Sequence, residues 1–445
     1  MTLSFFMKNI LKKIITAIIR AEASAVLRKY KPKIVAVIGS VGKTSTKDAA
    51  YAVFSREFFV RKSAKSFNSD IGIPLTILGC DNAWGNPLGW IKNIFVGLFL
   101  ILKKQKYPEW LILEIGVDRP GDMKEAAKWI HPEAIIVTRF ADIPVHVEYF
   151  SSPEAVIAEK SLLIKSLKKD GVLILNHDDK KVLALKDKWH GKTKTYGFSE
   201  GSDILLSHVS VLYGEDDLER KFPDGIIFRL NAGDVSVPAR IYGTLGKNMT
   251  YSAAATAALG MCAGINLVNI SEGLSEIELP PGRMRLLPGI KKSIIIDDSY
   301  NSSPVAMESA LETLKEIKAY GKKIAVLGDM LELGKYSTEE HKKIGTQAAS
   351  FCDILVTVGI RARGIADGAL DAKMDENNIY QFDSSREAGK YLEKLLDDGD
   401  IVLIKGSQGS GANNIRMERA VEEIMAEPER KAELLVRQDA EWKKR

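Results

Sequence analysis

At 445 residues, with 45% apolar and 27% charged side chains, the chain is too long for one hydrophobic core and too ordinary in composition to be disordered or fibrous. A net charge of +5 suits small anionic substrates but is no nucleic-acid signature, so no nucleic-acid partner is expected. The three cysteines, Cys80, Cys262 and Cys352, lie far apart in apolar contexts, which leaves no disulfide framework or metal spacing and points to a reducing cytoplasm.

Residues 4–20 alternate between two faces. Ile10, Leu11, Ile14, Ile15, Ile18 and Ile19 fall on one, and Lys8, Lys12, Lys13 and Arg20 on the other, so residues 1–32 read as a basic amphipathic helix. The lysine pair interrupts the apolar run and argues against a secretory signal. An apolar strand over 34–38 then runs into Gly39-Ser40-Val41-Gly42-Lys43-Thr44-Ser45-Thr46, with a helix from near Thr44 to Phe54. Strand, glycine turn and helix make a phosphate cradle. The backbone of Gly39, Ser40, Gly42 and Ser45 faces an anion, Lys43 reaches the terminal phosphates, and the Thr44 hydroxyl suits Mg²⁺. Residues 88–102 are strongly apolar but fall short of the roughly 20 residues a membrane span needs. This segment and the N-terminal helix are expected either against the body of the protein or in peripheral contact with the inner face of a membrane.

Continuous apolar strands at 110–114, 134–138 and 171–176, with a helix at 154–167, argue for a parallel sheet covered on both faces. Runs at 205–213, 225–230 and 235–242 read as a small antiparallel unit at the edge of this domain, followed by an alanine-rich helix over 249–264. A boundary falls near Pro280-Pro281-Gly282-Arg283, after which strand and helix alternate again: strands at 293–296, 323–327, 354–358 and 401–405, helices at 305–319, 338–351 and 385–396. The expected fold is α/β, a P-loop parallel-sheet ATPase domain (33–284) followed by a Rossmann-like doubly wound C-terminal domain (285–427) without GxGxxG, and a charged tail (428–445) forming a solvated helix.

Several residues could carry chemistry. Glu114 ends an apolar strand at the edge where open α/β sheets bind ligands, and a carboxylate there holds Mg²⁺ directly or through water. His146 follows another strand end and is either a second metal ligand, a phosphate contact or structural; Lys160, taken alone, reads as a surface lysine. Asp297-Asp298-Ser299-Tyr300-Asn301-Ser302-Ser303-Pro304 gathers acids, an amide and hydroxyls at a strand-to-helix turn. It meets a nucleotide or an acyl group, or it caps a helix through Ser302 or Ser303.

Together with Asn68-Ser69-Asp70-Ile71-Gly72-Ile73-Pro74-Leu75-Thr76, the 114–123 stretch, Pro281-Gly282-Arg283-Met284, the 325–334 stretch and Lys405-Gly406-Ser407, these motifs resemble the Mur ligase family over about residues 33–425. These are ATP-dependent amide ligases of peptidoglycan precursor synthesis. Within the family the resemblance is to the branch that adds D-alanyl-D-alanine to a UDP-N-acetylmuramoyl-tripeptide. The alternatives are a Mur-type ligase of another carboxylate and amine pair, and a P-loop ATPase with a binding role. The resemblance implies that Lys43 and Thr44 hold ATP and Mg²⁺, that Glu114 is an acidic metal ligand, and that His146 serves a second metal. It implies that Lys160 is a metal ligand if carbamylated, with Lys43, Lys160 and His146 as the catalytic set. Arg283, Asp298, Asn301 and Asn248 (within Gly246-Lys247-Asn248-Met249, where the family carries glycine-x-histidine-asparagine) are implied as nucleotide contacts. The γ-phosphoryl group converts a carboxylate to an acyl phosphate, which the incoming amine attacks, and two domains close around the reaction. The substrates are small molecules, a muramoyl peptide and D-alanyl-D-alanine, and a monomer is expected. The 1–32 segment does not resemble the family's N-terminal UDP-binding domain.

Overall fold

The computed structural model describes residues 2–63, 67–215, 220–408, 415–439 and 442, with backbone alone for 2–11, so the side chains of Lys8, Ile10 and Leu11 lie outside the described residues. The chain divides into two compact units.

The first unit takes residues 1–139, 154–205 and 252–273. Its strands are β1 (Lys33–Ile38), β2 (Val60–Lys62), β3 (Trp110–Glu114), β4 (Ala134–Val137), β5 (Val172–Asn176) and β6 (Lys192–Gly197), parallel in the order β2-β3-β1-β4-β5-β6. The central strands are buried along their length, which is why they read as unbroken apolar runs. Helices α1 (Thr2–Tyr30), α2 (Lys43–Phe54), α3 (Gly72–Leu78), α4 (Pro87–Leu102), α5 (Asp122–Ala127), α6 (Pro153–Ser161) and α7 (Lys180–Leu183) intervene. α8 (Lys247–Cys262) and α9 (Leu267–Ser275) follow later in the chain. The helix expected at 154–167 is shorter than its pattern, ending at Ser161 and continuing as a 3₁₀ turn over Leu162–Ser166. α1 buries Ile19, Glu22, Ala23 and Val26, a stripe of spacing three and four, and so packs on the body over its second half.

The second unit takes residues 140–153, 206–251 and 274–445. β7 (Ile204–Glu215) and β8 (Lys221–Ala232) are longer than the broken apolar runs suggested, because paired backbone carries the strands through their polar positions, while β9 (Val235–Tyr242) matches its run. β8 and β9 are antiparallel, joined by the two-residue turn Gly233-Asp234, and Gly233 takes the positive φ (57°) such a turn requires. A six-stranded sheet follows, in the order β10 (Arg285–Pro288), β11 (Ile294–Asp298), β15 (Ile401–Lys405), β12 (Lys323–Gly328), β13 (Ile354–Val358) and β14 (Ile379–Phe382). All pairs are parallel except β10 with β11. α10 (Pro304–Glu316), α11 (Ser337–Ala349), α12 (Arg363–Asp371), α13 (Ser385–Leu395), α14 (Glu418–Ile424) and α15 (Lys431–Leu434) complete the doubly wound pattern.

The tail differs from expectation. Leu434, Leu435 and Val436 are buried, and Arg437 reaches Glu418 Oε2 (2.8 Å) and the Ser299 carbonyl (3.3 Å). The charge in 428–445 suggested solvation, but three consecutive apolar residues and a paired arginine hold residues 434–437 on the core.

Candidate functional site

In the first unit the phosphate loop is shaped by neighbours at the carboxyl edge of the sheet. Ser40 N donates to the Arg139 carbonyl (2.7 Å), and Val41 bridges Arg139. Gly39 (φ 139°) and Gly42 (φ 85°) hold positive φ, and a Cβ on Gly39 would lie 2.1 Å from Thr138 Oγ1. The turn therefore requires glycine, and it sits directly before the N-terminus of α2, whose first amides have no partner within the helix. The Lys43 amine donates to the Gly39 (3.1 Å) and Ser40 (3.3 Å) carbonyls.

The β1–β3 register sets Glu114 beside Val37, one residue before β1 ends. The buried Thr44 hydroxyl donates to Glu114 Oε2 (2.9 Å), and Asn68 Nδ2 donates to Oε1 (3.2 Å). One hydroxyl and one oriented carboxylate beside a phosphate cradle are the hard-oxygen donors that Mg²⁺ takes in nucleotide sites, where substrate phosphates and water complete its shell. Among the described residues no three His, Cys, Asp or Glu side chains group as a ready-made cation site.

Lys160 is not on the surface. Its amine sits 3.3 Å from Ser40 Oγ at the loop, and burial, reinforced by the Lys43 cation and opposed by Asp118, pushes its pKa from 10.5 down to about 7. A substantial fraction of the side chain is then a neutral amine at neutral pH. Ser45 is half-buried on α2, and the Thr46 hydroxyl donates to Ser252 Oγ (3.1 Å).

The second unit carries the remaining candidates. His146 (φ 69°) precedes a single 3₁₀ turn, and its Nδ1 lies 2.7 Å from Glu332 Oε2. Asn248 is half-buried in the first turn of α8. The Arg283 guanidinium lies over the Tyr300 ring, 4.0 Å from its centroid. Asp298, ending β11, is ion-paired through Oδ2 to the buried Lys405 amine (2.6 Å) and accepts from Met284 N through Oδ1 (3.2 Å). The Asn301 carbonyl accepts from Lys405 (3.0 Å), and its side-chain oxygen accepts from Gln408 N (3.2 Å). Asp297 is fully buried, accepts from Ser299 N through Oδ1 (3.1 Å), and is pushed up to about 6 by burial. The 297–304 turn is thus cross-tied to the end of β15. Of the two readings of this turn, the side-chain cap through Ser303 does not form: Ser303 precedes α10 without a side-chain capping bond.

Three contributors escaped residue-level reading. Asn68 and Lys405 sit in stretches that carry the family resemblance, yet nothing local announces that one orients Glu114 and the other neutralises Asp298. Arg437, in the tail, donates to the carbonyls of Ser299 and Tyr300 and to Gln408 Oε1 (3.2 Å), bracing the same turn; only its buried apolar neighbours hint at this.

The Mur ligase middle domain matches residues 37–259, and the Mur ligase, glutamate ligase domain matches residues 282–408. The chain is 28% identical over 407 residues to the UDP-N-acetylmuramoyl-tripeptide–D-alanyl-D-alanine ligase of Bacillus subtilis (strain 168), covering 91% of this chain and 79% of the relative. It is 27% identical to the Escherichia coli (strain K12) enzyme of the same name, covering 88% and 78%. Among solved structures, the fold resembles the MurF ligase of Thermotoga maritima in complex with ADP, with TM-score 0.74, 24% identity and coverage of 94% of this chain and 85% of that one. It also resembles MurF of Acinetobacter baumannii, with TM-score 0.71, 22% identity and coverage of 88% and 77%.

Proposed function

The chain belongs to the Mur ligase family, and on that footing we propose that it is an ATP-dependent, ADP-forming amide ligase joining D-alanyl-D-alanine to the free carboxylate of a UDP-N-acetylmuramoyl-tripeptide. The observation that carries this reading is the buried Thr44–Glu114 pair beneath a glycine-dependent phosphate loop, in a chain matching ligases of that name over nine-tenths of its length.

A carboxylate is a poor electrophile, and the ATP phosphoryl group supplies the activation that lets an amine displace an oxygen from it. The chain's own groups prepare that step. The loop amides bind phosphate oxygens, and the Lys43 amine supplies a mobile cation for the charge developing on them. The Thr44 hydroxyl and the Glu114 carboxylate, aligned by Asn68, are the Mg²⁺ donors. The neutral amine of Lys160 adds to dissolved carbon dioxide, losing one proton and becoming a carbamate. This sets an anion able to ligate a cation beside the Lys43 ammonium. We assign His146 to a second cation and Asn248, Arg283, Asp298 and Asn301 to nucleotide contacts. The protein is proposed to act as a monomer on the cytoplasmic side, in peripheral contact with the membrane.

The test is direct. The full chain is incubated with ATP, Mg²⁺, D-alanyl-D-alanine and UDP-N-acetylmuramoyl-tripeptide, and phosphate release and product mass are followed. Phosphate released only when both co-substrates are present, with a product of the expected mass, is the predicted result. Turnover indifferent to both co-substrates, or stimulated by nucleic acid, refutes the reading.

A further inference from the structure

α4 contradicts the usual order of inside and outside. Its side chains at Leu88, Ile91, Phe95, Leu98, Phe99 and Leu102 are all exposed, with Leu88 at 75%, Phe95 at 65% and Leu102 at 80%. At about 100° per residue these six positions share one stripe roughly 100° wide. The opposite face carries the helix's two buried residues, Asn93 and Gly97. Ile14 and Ile18 of α1, one turn apart, are exposed as well. A contiguous apolar face of this kind marks an interaction site rather than ordinary surface scatter.

The helix has not simply turned the wrong way, because polar contacts fix its inner face. Asn93 Nδ2 donates to the Asp81 carbonyl (2.8 Å). Gly97 lets Glu22 of α1 come so close that any Cβ there would meet its carboxylate. At the carboxyl end of α4, Lys29 donates to the carbonyls of Leu100 (2.8 Å) and Ile101 (2.9 Å), and the Tyr30 hydroxyl donates to that of Leu100 (3.0 Å). These bonds satisfy carbonyls that a helix end otherwise leaves open. The apolar stripe is therefore presented outward by construction.

Charge identifies the occupant. α4 contains no acidic residue, and Glu22, turned inward, is the only acid in α1. Lys92 and Lys103 flank the stripe, and Lys104, Lys106, Lys12 and Lys13 are exposed beside these helices. Among the described residues no helix is long and apolar enough to cross a membrane. We propose that the outer face of α4, with Ile14 and Ile18 of α1, lies in the headgroup region of an anionic lipid bilayer, its apolar side chains inserted and its lysines on the phosphates. The inference rests on the peripheral placement proposed above and is independent of the ligase reaction.

Co-sedimentation of the full chain with phosphatidylcholine vesicles, with and without phosphatidylglycerol, tests it. Binding is expected only to the phosphatidylglycerol vesicles and is weakened by salt. Lys103→Glu with Lys104→Glu should weaken it at least roughly twentyfold, from about fivefold per lysine contact. Phe95→Asp should weaken it by roughly tenfold or more. Leu88→Ser with Leu102→Ser, at the most exposed positions, provides a variant that leaves the packed face untouched. Thermal unfolding and ligase turnover of all variants in solution should stay at wild-type levels. Equal binding to neutral vesicles, no binding, or binding unchanged by these substitutions overturns the proposal. So does a concentration-dependent dimer that Phe95→Asp dissolves, since the face would then belong to a second copy. A wild-type chain that ligates but binds no vesicles refutes this surface alone, whereas a wild-type chain that binds vesicles without ligating refutes the ligase reading alone.

Discussion

Lys160 offers the sharpest test of the site's electrostatics. Burial and the neighbouring Lys43 cation lower its pKa from 10.5 to about 7, so the folded protein binds fewer protons here than the unfolded chain throughout that window. Stability must then rise with pH across it. The cost of burying the ammonium is fully present below about pH 7 and has gone above about 10.5. A tenfold change in proton affinity corresponds to about 1.4 kcal/mol, which puts the whole span near 5 kcal/mol, with about half of it falling between pH 6 and 9. Lys160→Met removes the titrating group while keeping the stem's volume. Denaturant unfolding of wild type and variant across that range should show a stability difference that shrinks by roughly 2–3 kcal/mol in favour of wild type as pH rises. Parallel curves would refute the reasoning, because they would mean that the amine is solvated and charged like any surface lysine. The same neutral amine predicts that ligase turnover falls when carbon dioxide and bicarbonate are stripped from the buffer and returns when bicarbonate is restored.

Glu22→Gln should act with the opposite sign. Burial raises the Glu22 carboxyl from 4.5 to about 7, so wild-type stability falls as pH rises between those values, and the variant should gain up to about 3 kcal/mol at pH 8 and nothing near pH 4, read from melting curves at both. Asp298→Asn strips the buried Lys405 amine of its counter-charge at 2.6 Å, and should cost roughly 3–5 kcal/mol in urea unfolding of the second unit; a loss under about 1 kcal/mol would mean that water reaches the pair. Gly39→Ala places a methyl 2.1 Å from Thr138 Oγ1 in a backbone that disfavours side chains, and should weaken nucleotide affinity by at least about tenfold in a fluorescent-nucleotide titration, since several loop amides must move.

What could be read from residues alone follows a physical division. The buried parallel strands announce themselves because both faces are apolar, and the phosphate loop because a glycine turn between strand and helix is a local device. Burial of a polar group has no such signature. Lys160 looks like a surface lysine in the sequence and Lys405 like the end of an apolar strand, and only the tertiary fold puts one against the loop and the other under Asp298. The His146–Glu332 pair joins residues far apart in the chain, so neither signals the other. The tail misled for a related reason: its charges outnumber the three apolar residues that anchor it, while Arg437 is paired rather than solvated. α4 stayed ambiguous in the sequence because an apolar helix of its length suits a core or a surface equally, and what resolves it is which face Asn93 and Gly97 occupy.

The acyl-activation chemistry proposed for the Lys43 and Glu114 cradle can be followed atom by atom. Heavy oxygen is placed at both positions of the terminal carboxylate of the tripeptide substrate, the ligation is run with unlabelled ATP, and the inorganic phosphate released is weighed by mass spectrometry. If the carboxylate takes the phosphoryl group before the amine attacks, one labelled oxygen leaves with each phosphate. Ligated product with unlabelled phosphate, the displaced heavy oxygen having left as water, would contradict it.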